Sequence, residues 1–490
     1  MGLGWRRELA AQLLTAPQAV GFVEVIAESC LQPGPQRREV EGLAEIWPVL
    51  PHGIQLSLGS ADGIDEQHAR RLGKLARALR APLFSEHVAF TRGRGRDIGH
   101  LTQLPMNRTA VRVVARNLAK ARRFLPDIPF LLENPAWTLR WAEDEMDEGS
   151  FFHEIVQATG CRLLLDIANL YANAINSGQD PRVLLRSYPL SHVAMVHIAG
   201  GAWREGFYVD THCHATPGPV FELLDDLVRL RGPLPVVLER DGRYPPFAQL
   251  AAELAQARSI LDGHATLAAD ANGLSLAPTP RAQHALARTA AAEAADTRMQ
   301  RTALSEQQAR LATLLTTCPQ PCTHATSGHA THRTTNAEPD RTGWDDQALA
   351  HSRSVLLHKR VDEAIGLLWR SRNASQSQQI DLYALALERL ANQPAARSLP
   401  TVVDALHVAR AAQKHRGLAS AALLDQLSLQ ARCVEHSEGA SLRFLPYVAR
   451  MQRTDGRRTW VWKPPGRRSR IHVYTHTPQT PSTGGHTRSS

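Results

Sequence analysis

Short apolar runs alternate with longer amphipathic stretches throughout the first 262 residues of the chain. The runs are nearly free of polar residues, which is typical of parallel strands that are buried on both faces. The stretches between them have helical spacing, and in residues 66–80 the side chains of Leu72, Leu75, Ala76 and Leu79 would share one helix face. This pattern predicts eight strands, at residues 22–28, 51–58, 83–89, 130–133, 163–168, 193–199, 207–212 and 236–239.

Eight strand–helix units in a stretch of this length predict a TIM (β/α)8 barrel rather than an open doubly wound sheet. We place this barrel at residues 1–262. Residues 263–343 are rich in Ala, Thr, His and Arg, and we expect a low-complexity linker there, with one helix possible at residues 297–315. Apolar residues at helical spacing return in residues 344–440, which predicts a small α-helical accessory region. We expect the remaining residues, 441–490, to form a basic, disordered tail.

The net charge of +9 lies mainly in that tail. Residues 451–490 contain eight basic residues and a single acidic one, so the first 450 residues carry a net charge of only +2. Because the charge is confined to a tail, we expect no nucleic acid among the partners. The sequence has no run of about 18 uncharged apolar residues, and Arg6 and Arg7 interrupt its start, so we expect neither a membrane span nor a signal peptide. These features predict a cytoplasmic protein with reduced cysteines.

Polar residues able to bind metal ions stand at the ends of most of the predicted strands. They are His52, His87, Glu133, Asp166, Asn169, His197, Asp210, His212 and Glu239. In a TIM barrel all strands end on one face, so these side chains can meet although they are distant in sequence. Any one of them alone would more often be an ordinary hydrogen-bonded residue. Together they predict a metal centre, because buried carboxylates need cations, and mixed imidazole and carboxylate ligands are typical of divalent first-row metals.

The number of ligands indicates more than one ion. Three histidines and three carboxylates exceed what a single ion with an open coordination position needs. They are His52, His87, His197, Glu133, Asp166 and Glu239. At least two ions are therefore implied, with one carboxylate as a bridge. Asn169, Asp210 and His212 form a further group that can hold a third ion.

Seven motifs in the first 261 residues resemble those of the multinuclear non-haem iron-dependent oxidases of the methanobactin-biosynthesis type. In chain order they are LPHG (50–53), SEH (85–87), LENP (132–135), LDIANLY (165–171), VHIAG (196–200), DTH (210–212) and ERD (239–241). That family belongs to the xylose isomerase and apurinic endonuclease group of TIM barrels. The resemblance therefore implies a metal-dependent enzyme on the fold that the hydrophobic pattern predicts.

Carried over residue by residue, the resemblance implies three iron sites. The sets of ligands are His52, His87 and Glu133; Glu133, Asp166, His197 and Glu239; and Asn169, Asp210 and His212. The endonuclease relatives would have His in place of Asn169, and an amide is a weaker ligand, so we expect weaker binding at the third site. Asp241 is a candidate catalytic acid or base, or alternatively a hydrogen-bond partner of a ligand.

The resemblance also implies a reaction and its partners. Members of that family use iron and dioxygen to oxidise cysteine residues of ribosomally made precursor peptides, often with a separate leader-peptide-binding partner protein. We therefore expect two or three iron ions as cofactor, dioxygen as co-substrate and a precursor peptide as substrate. A divalent-metal hydrolase or isomerase acting on a phosphodiester or a sugar is the alternative, because the ligand set does not exclude it. A non-catalytic scaffold is disfavoured, since it would have no need for so many costly buried carboxylates.

Overall fold

The computed structural model of the protein describes residues 1–204, 206–264, 292–316, 344–391, 393, 400–436, 439–443, 447–452, 458–465 and 471–476. These residues form two units. The first contains the described residues up to 313 together with 344–352, and the second contains 314–316 and the described residues from 353 onwards. Most of the expected linker, residues 265–291 and 317–343, lies outside the described residues. No helix within the described ranges is long and apolar enough to span a bilayer.

A closed parallel barrel of eight strands forms the centre of the first unit, which confirms the predicted TIM barrel. The strands of this unit are β1 (Gly2–Gly4), β2 (Phe22–Ile26), β3 (Val49–Gly53), β4 (Phe84–His87), β5 (Ala89–Gly93), β6 (Arg96–Gln103), β7 (Phe130–Glu133), β8 (Arg162–Asp166), β9 (Val193–Ile198), β10 (Gly200–Arg204), β11 (Phe207–His214) and β12 (Val236–Leu238). Around the barrel the strands follow the order β1-β12-β9-β8-β7-β4-β3-β2, while β5 pairs with β6 and β10 with β11 in two antiparallel hairpins.

One of the eight predicted strands is not part of the barrel. Residues 207–212 belong to β11, which pairs with β10 in the hairpin that directly follows β9, so the prediction of a barrel strand there is wrong. The missing barrel strand is β1, which pairs in parallel with both β12 and β2 and so closes the barrel. Its sequence Gly-Leu-Gly is too short and has too few β-branched residues to stand out in the apolar pattern.

Helices on the outside of the barrel connect successive strands. Several begin after an Asp or Asn whose side chain accepts a hydrogen bond from a backbone N–H of the first turn, as at Asp65, Asn107 and Asp147. The helices are α1 (Ala10–Thr15), α2 (Pro35–Leu43), α3 (Glu66–Ala78), α4 (Arg108–Arg122), α5 (Glu148–Thr159), α6 (Ile167–Ser177), α7 (Pro181–Ser187), α8 (Gly218–Arg231) and α9 (Phe247–Gly263).

A further long helix, α10 (Ala292–Thr316), lies within the residues expected to be linker. Up to Thr313 it belongs to the first unit, where Leu304 packs with Ala61 and Val113. The buried Gln308 amide donates to the carbonyl of Gly59 and accepts from the N–H of Ala61. The helix therefore covers the loop that follows β3, on the side of the barrel where the strands end.

The second unit combines helices with two small antiparallel sheets. Its helical core includes Val361, Leu390 and Leu406, and a smaller core includes Met451 and Val461. Strands are found after residue 441, where we expected a disordered tail. Aromatic and β-branched residues alternate in them, which favours strands, although Arg is the most frequent residue in that stretch. The elements are α11 (Asp346–Leu367), α12 (Trp369–Gln378), α13 (Leu382–Ala391), α14 (Pro400–Ala412), α15 (Ala419–Arg432), β13 (Cys433–His436), β14 (Gly439–Leu442), β15 (Tyr447–Gln452), β16 (Arg458–Lys463) and β17 (His472–His476).

Candidate metal centre

Strand alternation places five of the predicted ligands inside the barrel. Each stands two positions after an apolar residue of one buried core cluster, and side chains two positions apart on a strand point the same way. The pairs are Leu50 and His52, Leu131 and Glu133, Leu164 and Asp166, Met195 and His197, and Val237 and Glu239. The barrel interior is therefore apolar below and polar at the face where the strands end, which is the active-site face of TIM barrels.

His52 and His87 converge on Glu133 at the ends of three adjacent strands. The Nε2 atoms of the two imidazoles lie 3.3 and 3.4 Å from Glu133 Oε2. Their other nitrogens have separate partners, since His52 Nδ1 lies 2.8 Å from Ser85 Oγ and His87 Nδ1 lies 3.3 Å from the Gly53 carbonyl oxygen. These partners orient both rings so that Nε2 faces the carboxylate, an arrangement typical of metal-binding histidines.

His197 lies at the middle of a second group and is fully buried. Its Nδ1 atom lies 3.3 Å from Glu133 Oε1, 3.4 Å from Glu239 Oε2 and 4.0 Å from Asp166 Oδ2. Its Nε2 atom lies 3.0 Å from Glu24 Oε1. Glu24 was not predicted as a ligand; the signal was a carboxylate in the middle of the apolar strand Phe22–Ile26, where alternation points it into the barrel.

The third group lies partly on the β10–β11 hairpin. His212 Nε2 is 2.8 Å from Asp210 Oδ2 and 3.7 Å from Asp166 Oδ2, while Nδ1 is 2.9 Å from Glu239 Oε2. His212 has a φ of 51°, in the left-handed region that non-glycine residues rarely adopt. Asn169 lies in the first turn of α6, and its buried amide oxygen has no hydrogen-bond partner among the described residues.

The buried polar atoms of this cluster test whether it fits metal ions. Within the part of the chain that the structure describes, nine buried oxygen and nitrogen atoms of the cluster make no hydrogen bond of normal geometry, although some lie close to one another as ion pairs, as Glu24 Oε1 and His197 Nε2 do at 3.0 Å. Such buried atoms are normally hydrogen-bonded. The nine atoms are both carboxylate oxygens of Glu24, Glu133 Oε2, Asp166 Oδ2, Asn169 Oδ1, both ring nitrogens of His197, Asp210 Oδ1 and His212 Nε2. Ligand atoms of three-residue groups from this cluster lie within 4.8 Å of one another, so the donor set fits several cations.

The protonation of the cluster supports the same conclusion. Burial lowers the pKa of the His87 imidazole, but the neighbouring carboxylates outweigh burial and raise that pKa to about 9. Burial raises the pKa of Glu133, but the surrounding imidazoles hold it at about 2. Burial also raises the pKa of Asp166, to about 8. Without cations, protons therefore have to balance the carboxylates, and metal ions would displace those protons.

A second layer of hydrogen bonds holds the ligands. The Asn134 side chain donates to the carbonyl of Asp166 and accepts from its N–H, which ties the ends of β7 and β8 together. Asp166 Oδ1 accepts from the Asn169 N–H at the start of α6, so only Oδ2 is left for an ion. At Gly53, a Cβ atom would lie 2.5 Å from Glu86 Oε2, so this position next to His52 requires glycine.

Asp241 lies at the rim of the cluster rather than inside it. Its side chain is 40% exposed and forms an ion pair with Arg6, which follows β1. Asp241 Oδ2 is 3.8 Å from His212 Nδ1, and its N–H donates to the His212 carbonyl. The structure thus brings the nine predicted ligands to one end of the barrel and places the predicted acid or base at the edge.

Known proteins similar to this chain cover its first half. The chain is 39% identical over 275 residues to a UPF0276 protein of Streptomyces avermitilis, and the match covers 54% of this chain and 56% of that relative. A UPF0276 protein of Chromobacterium violaceum is 36% identical over 262 residues, which cover 54% of this chain and 95% of the relative. Endonuclease IV of Thermus thermophilus shares 20% identity over 54% of this chain and 98% of its own, with a TM-score of 0.37.

A family assignment follows from residues 1–262, which span the whole barrel. These residues match the family model described as RiPP precursor modification enzyme MbnB/TglH/ChrH. The match covers more than half of the 490 residues and contains all nine predicted ligands. The chain therefore belongs to the MbnB/TglH/ChrH family of RiPP precursor modification enzymes, which confirms the resemblance seen in its motifs.

Proposed function

We propose that this protein is a multinuclear iron-dependent oxidase that uses dioxygen to modify a cysteine residue of a ribosomally made precursor peptide. The observation that carries the proposal is the set of nine buried donor atoms at the active-site end of the barrel that make no hydrogen bond of normal geometry. Such a set is costly unless cations bind it. Family membership supports a peptide as the substrate.

In this proposal three overlapping groups of side chains hold the ions. The first is His52, His87 and Glu133; the second is Glu133, Asp166, His197 and Glu239, with Glu24 at the other ring nitrogen of His197; the third is Asn169, Asp210 and His212, with Asp166 and Glu239 beside them. Glu133 faces imidazoles of the first two groups with different oxygens, which suits a bridging ligand. When bound, iron would supply the redox chemistry with dioxygen that no side chain of this site can supply.

The protein's own residues exclude water and direct the substrate. The side chains of His52, Glu133, Asp166 and His197 are at most 4% exposed, so water is kept from this part of the centre. The Arg6 ion pair occupies one oxygen of Asp241, which suits a positioning role better than proton transfer. We therefore assign Asp241 to holding the loop after β12 against the His212 carbonyl.

Metal content and metal type test this proposal. Protein purified anaerobically from iron-supplemented cells should contain two or three iron ions per chain by elemental analysis, with a coupled iron signature in Mössbauer spectra. The variant His87→Ala should lose iron and activity, because it removes one of three ligands of the first group. His192→Ala, which removes an exposed imidazole just before β9, at the opposite end of that strand from His197, should keep the iron content of the wild type.

Other outcomes would redirect or refute the proposal. Zinc or manganese without iron, together with activity that persists without dioxygen, would favour the hydrolase or isomerase instead. Folded protein that takes up no metal would contradict both enzymatic functions. Retention of all iron by His87→Ala would contradict the assignment of the first group.

A further inference from the structure

The cluster is open to solvent on only one side. The side chains of Asp210 and His212 are each 12% exposed and that of Asp241 is 40% exposed, whereas Asp166 and His197 are fully buried. The more exposed residues lie on β11 and on the loop after β12. A substrate of the proposed reaction therefore approaches past these two segments.

Aromatic and basic side chains line this open side. Trp203, on the strand that pairs with β11, is 59% exposed. Arg243, in the loop after β12, is also exposed and lies with its Nη1 atom 3.2 Å from His214 Nε2. Arg204 ends β10 and pairs with Phe207 across the hairpin. The hairpin and the loop after β12 thus present two arginines and an exposed indole ring.

These two arginines lack acidic partners among the described residues. Arg243 contacts the imidazole of His214, and Arg204 forms no ion pair within the described ranges. The other two arginines of this region are paired, Arg6 with Asp241 and Arg240 with Glu253. A guanidinium group that has no acidic partner in the protein and lies at the entrance of a site can bind a carboxylate of the substrate.

The backbone of Arg243 adds an independent sign that this position is specialised. Its φ is 48°, in the left-handed region where glycine is the favoured residue. The Tyr244 hydroxyl donates to the Asp241 carbonyl across this turn. Arg243 therefore stands at a position where the backbone favours glycine, and strained backbone of this kind is more common at functional sites than elsewhere.

We propose that Arg243, which contacts His214, and Arg204 of the β10–β11 hairpin form a subsite that binds a carboxylate of the peptide substrate. The subsite rests on the proposed function, since it positions a peptide whose cysteine reaches the metal centre. The carboxylate comes either from an acidic side chain next to the cysteine or from the carboxyl terminus of the peptide. The positive rim would also attract such a peptide over the excess of carboxylates in the centre.

Binding of short peptides to the full-length, cobalt-loaded protein tests the subsite. Thiolate binding to cobalt gives charge-transfer absorption, from which dissociation constants follow. One pair of probes is N-acetyl-Cys-Glu-amide and N-acetyl-Cys-Gln-amide, and the other is N-acetyl-Cys-Gly with a free or an amidated carboxyl terminus. We expect the carboxylate-bearing member of one pair to bind about tenfold more tightly, as a charge-assisted hydrogen bond predicts. The pair that shows the preference identifies the source of the carboxylate.

Variants assign that preference to the two arginines. Arg243→Gln combined with Arg204→Gln should abolish the tenfold preference and leave the affinity for the uncharged peptides unchanged, while Arg243→Lys should keep part of the preference. Arg38→Gln, at an exposed arginine of α2, should behave as the wild type does. A preference that survives in the double variant would overturn the proposal.

The failure of the subsite and the failure of the proposed function give different results. If all four peptides produce thiolate absorption with equal affinity, the subsite is wrong and the thiol chemistry stands. If no peptide produces thiolate absorption, the proposed function is in doubt, and calorimetric titration with the serine versions of the peptides tests the subsite alone. Equal affinities of the acidic and amide serine peptides would overturn the subsite in that case.

Discussion

Glu24 shows at the level of a single residue how a metal centre opposes stability. Five carboxylates of the cluster face four imidazoles, so without a cation the balance of charge requires protons on the imidazoles and on one carboxylate, such as Asp166 with its raised pKa. Both oxygens of Glu24 are buried and make no hydrogen bond of normal geometry within the described part of the chain, and His197 Nε2 lies 3.0 Å from Oε1. In our proposal, so many clustered carboxylates destabilise the metal-free protein and are tolerated because the cluster binds ions.

We therefore predict opposite effects of Glu24→Gln on the two forms of the protein. The metal-free variant should be more stable than metal-free wild type by about 1 kcal/mol or more, because one of five clustered buried carboxylates is replaced by a neutral amide. The stabilisation that iron confers should be smaller in the variant, because a ligand is lost. Urea unfolding with and without chelator measures both effects.

A surface carboxylate provides the matched control for this prediction. Glu45 pairs with Arg80, and both side chains are 73% exposed, so Glu45→Gln should change neither stability nor the effect of iron. Loss of stability in metal-free Glu24→Gln would show that the carboxylate is structural and would remove it from the metal centre.

The sequence predicts most of the site because parallel strands end on one face. That rule is enough for His52, Glu133 and His197, whose positions follow from any closed parallel barrel. It does not predict Glu24, which lies in the middle of a strand rather than at its end. The direction of its side chain follows only when the observed bounds of β2 show which residues face the barrel interior. Nor does it reach the pair of Arg6 with Asp241, since these residues meet only because β1 and β12 are neighbours in the closed barrel.

Among the elements, the hairpin departs most from the sequence prediction, whereas α10 contains the helix that the sequence makes possible at residues 297–315. Residues 207–212 have the apolar character of a barrel strand, but the chain from Ile198 to Phe207 is too short for a helical crossover and folds back instead. In α10 the buried residues Leu304, Gln308 and Leu311 stand at helical spacing on one face, with a glutamine in the middle position. A buried glutamine is visible in a structure and is not distinguished by any sequence pattern.

Gln308 attaches α10 to the loop that follows β3, and its substitution tests the importance of that contact. Its fully buried amide joins α10 to the Gly59 carbonyl and the Ala61 N–H at 2.8 and 2.9 Å. Gln308→Ala leaves both backbone groups buried without partners and opens a cavity, so we expect a loss of about 3 kcal/mol in the free energy of unfolding. Urea unfolding measures the loss, and hydrogen exchange at Ala61 should become faster.

Substitution of the neighbouring Gln307 is the control that distinguishes the loss of this contact from a general effect of Gln→Ala on helix propensity. Gln307 donates to Glu143 in an exposed contact, so Gln307→Ala should change the free energy of unfolding by less than about 0.5 kcal/mol. An equal effect of the two substitutions would contradict a specific role of Gln308 in docking α10.

At the scale of the whole molecule, the sequence predicts the barrel far better than the rest. The barrel repeats one unit eight times, so errors in single elements leave the architecture recognisable. The second unit has no such repeat, and its strands contain Trp460, Trp462 and Tyr474 within a stretch in which Arg is the most frequent residue. Because the overall composition is polar, the alternation of side chains that is typical of strands is recognised only from the pairing of β15, β16 and β17.

We propose that the two units unfold in separate transitions, because each has hydrophobic cores of its own. In our proposal the metal ions bind the native barrel, so they should stabilise its transition by about 2.7 kcal/mol at a free concentration a hundred times the dissociation constant. Scanning calorimetry of the full chain with chelator and with iron should therefore show one transition that shifts and one that does not.

A substitution in each unit identifies the two transitions. Asp404 is 2% exposed and accepts from two nitrogens of Arg360 at 2.8 Å, so Asp404→Ala removes the carboxylate partner of a half-buried arginine and should lower only the transition that is insensitive to metal. His87→Ala should reduce the shift that iron causes in the other transition and leave the first unchanged. A single transition that responds to both substitutions would mean that the units fold as one, and iron in the barrel would then stabilise the strands around Trp460 as well.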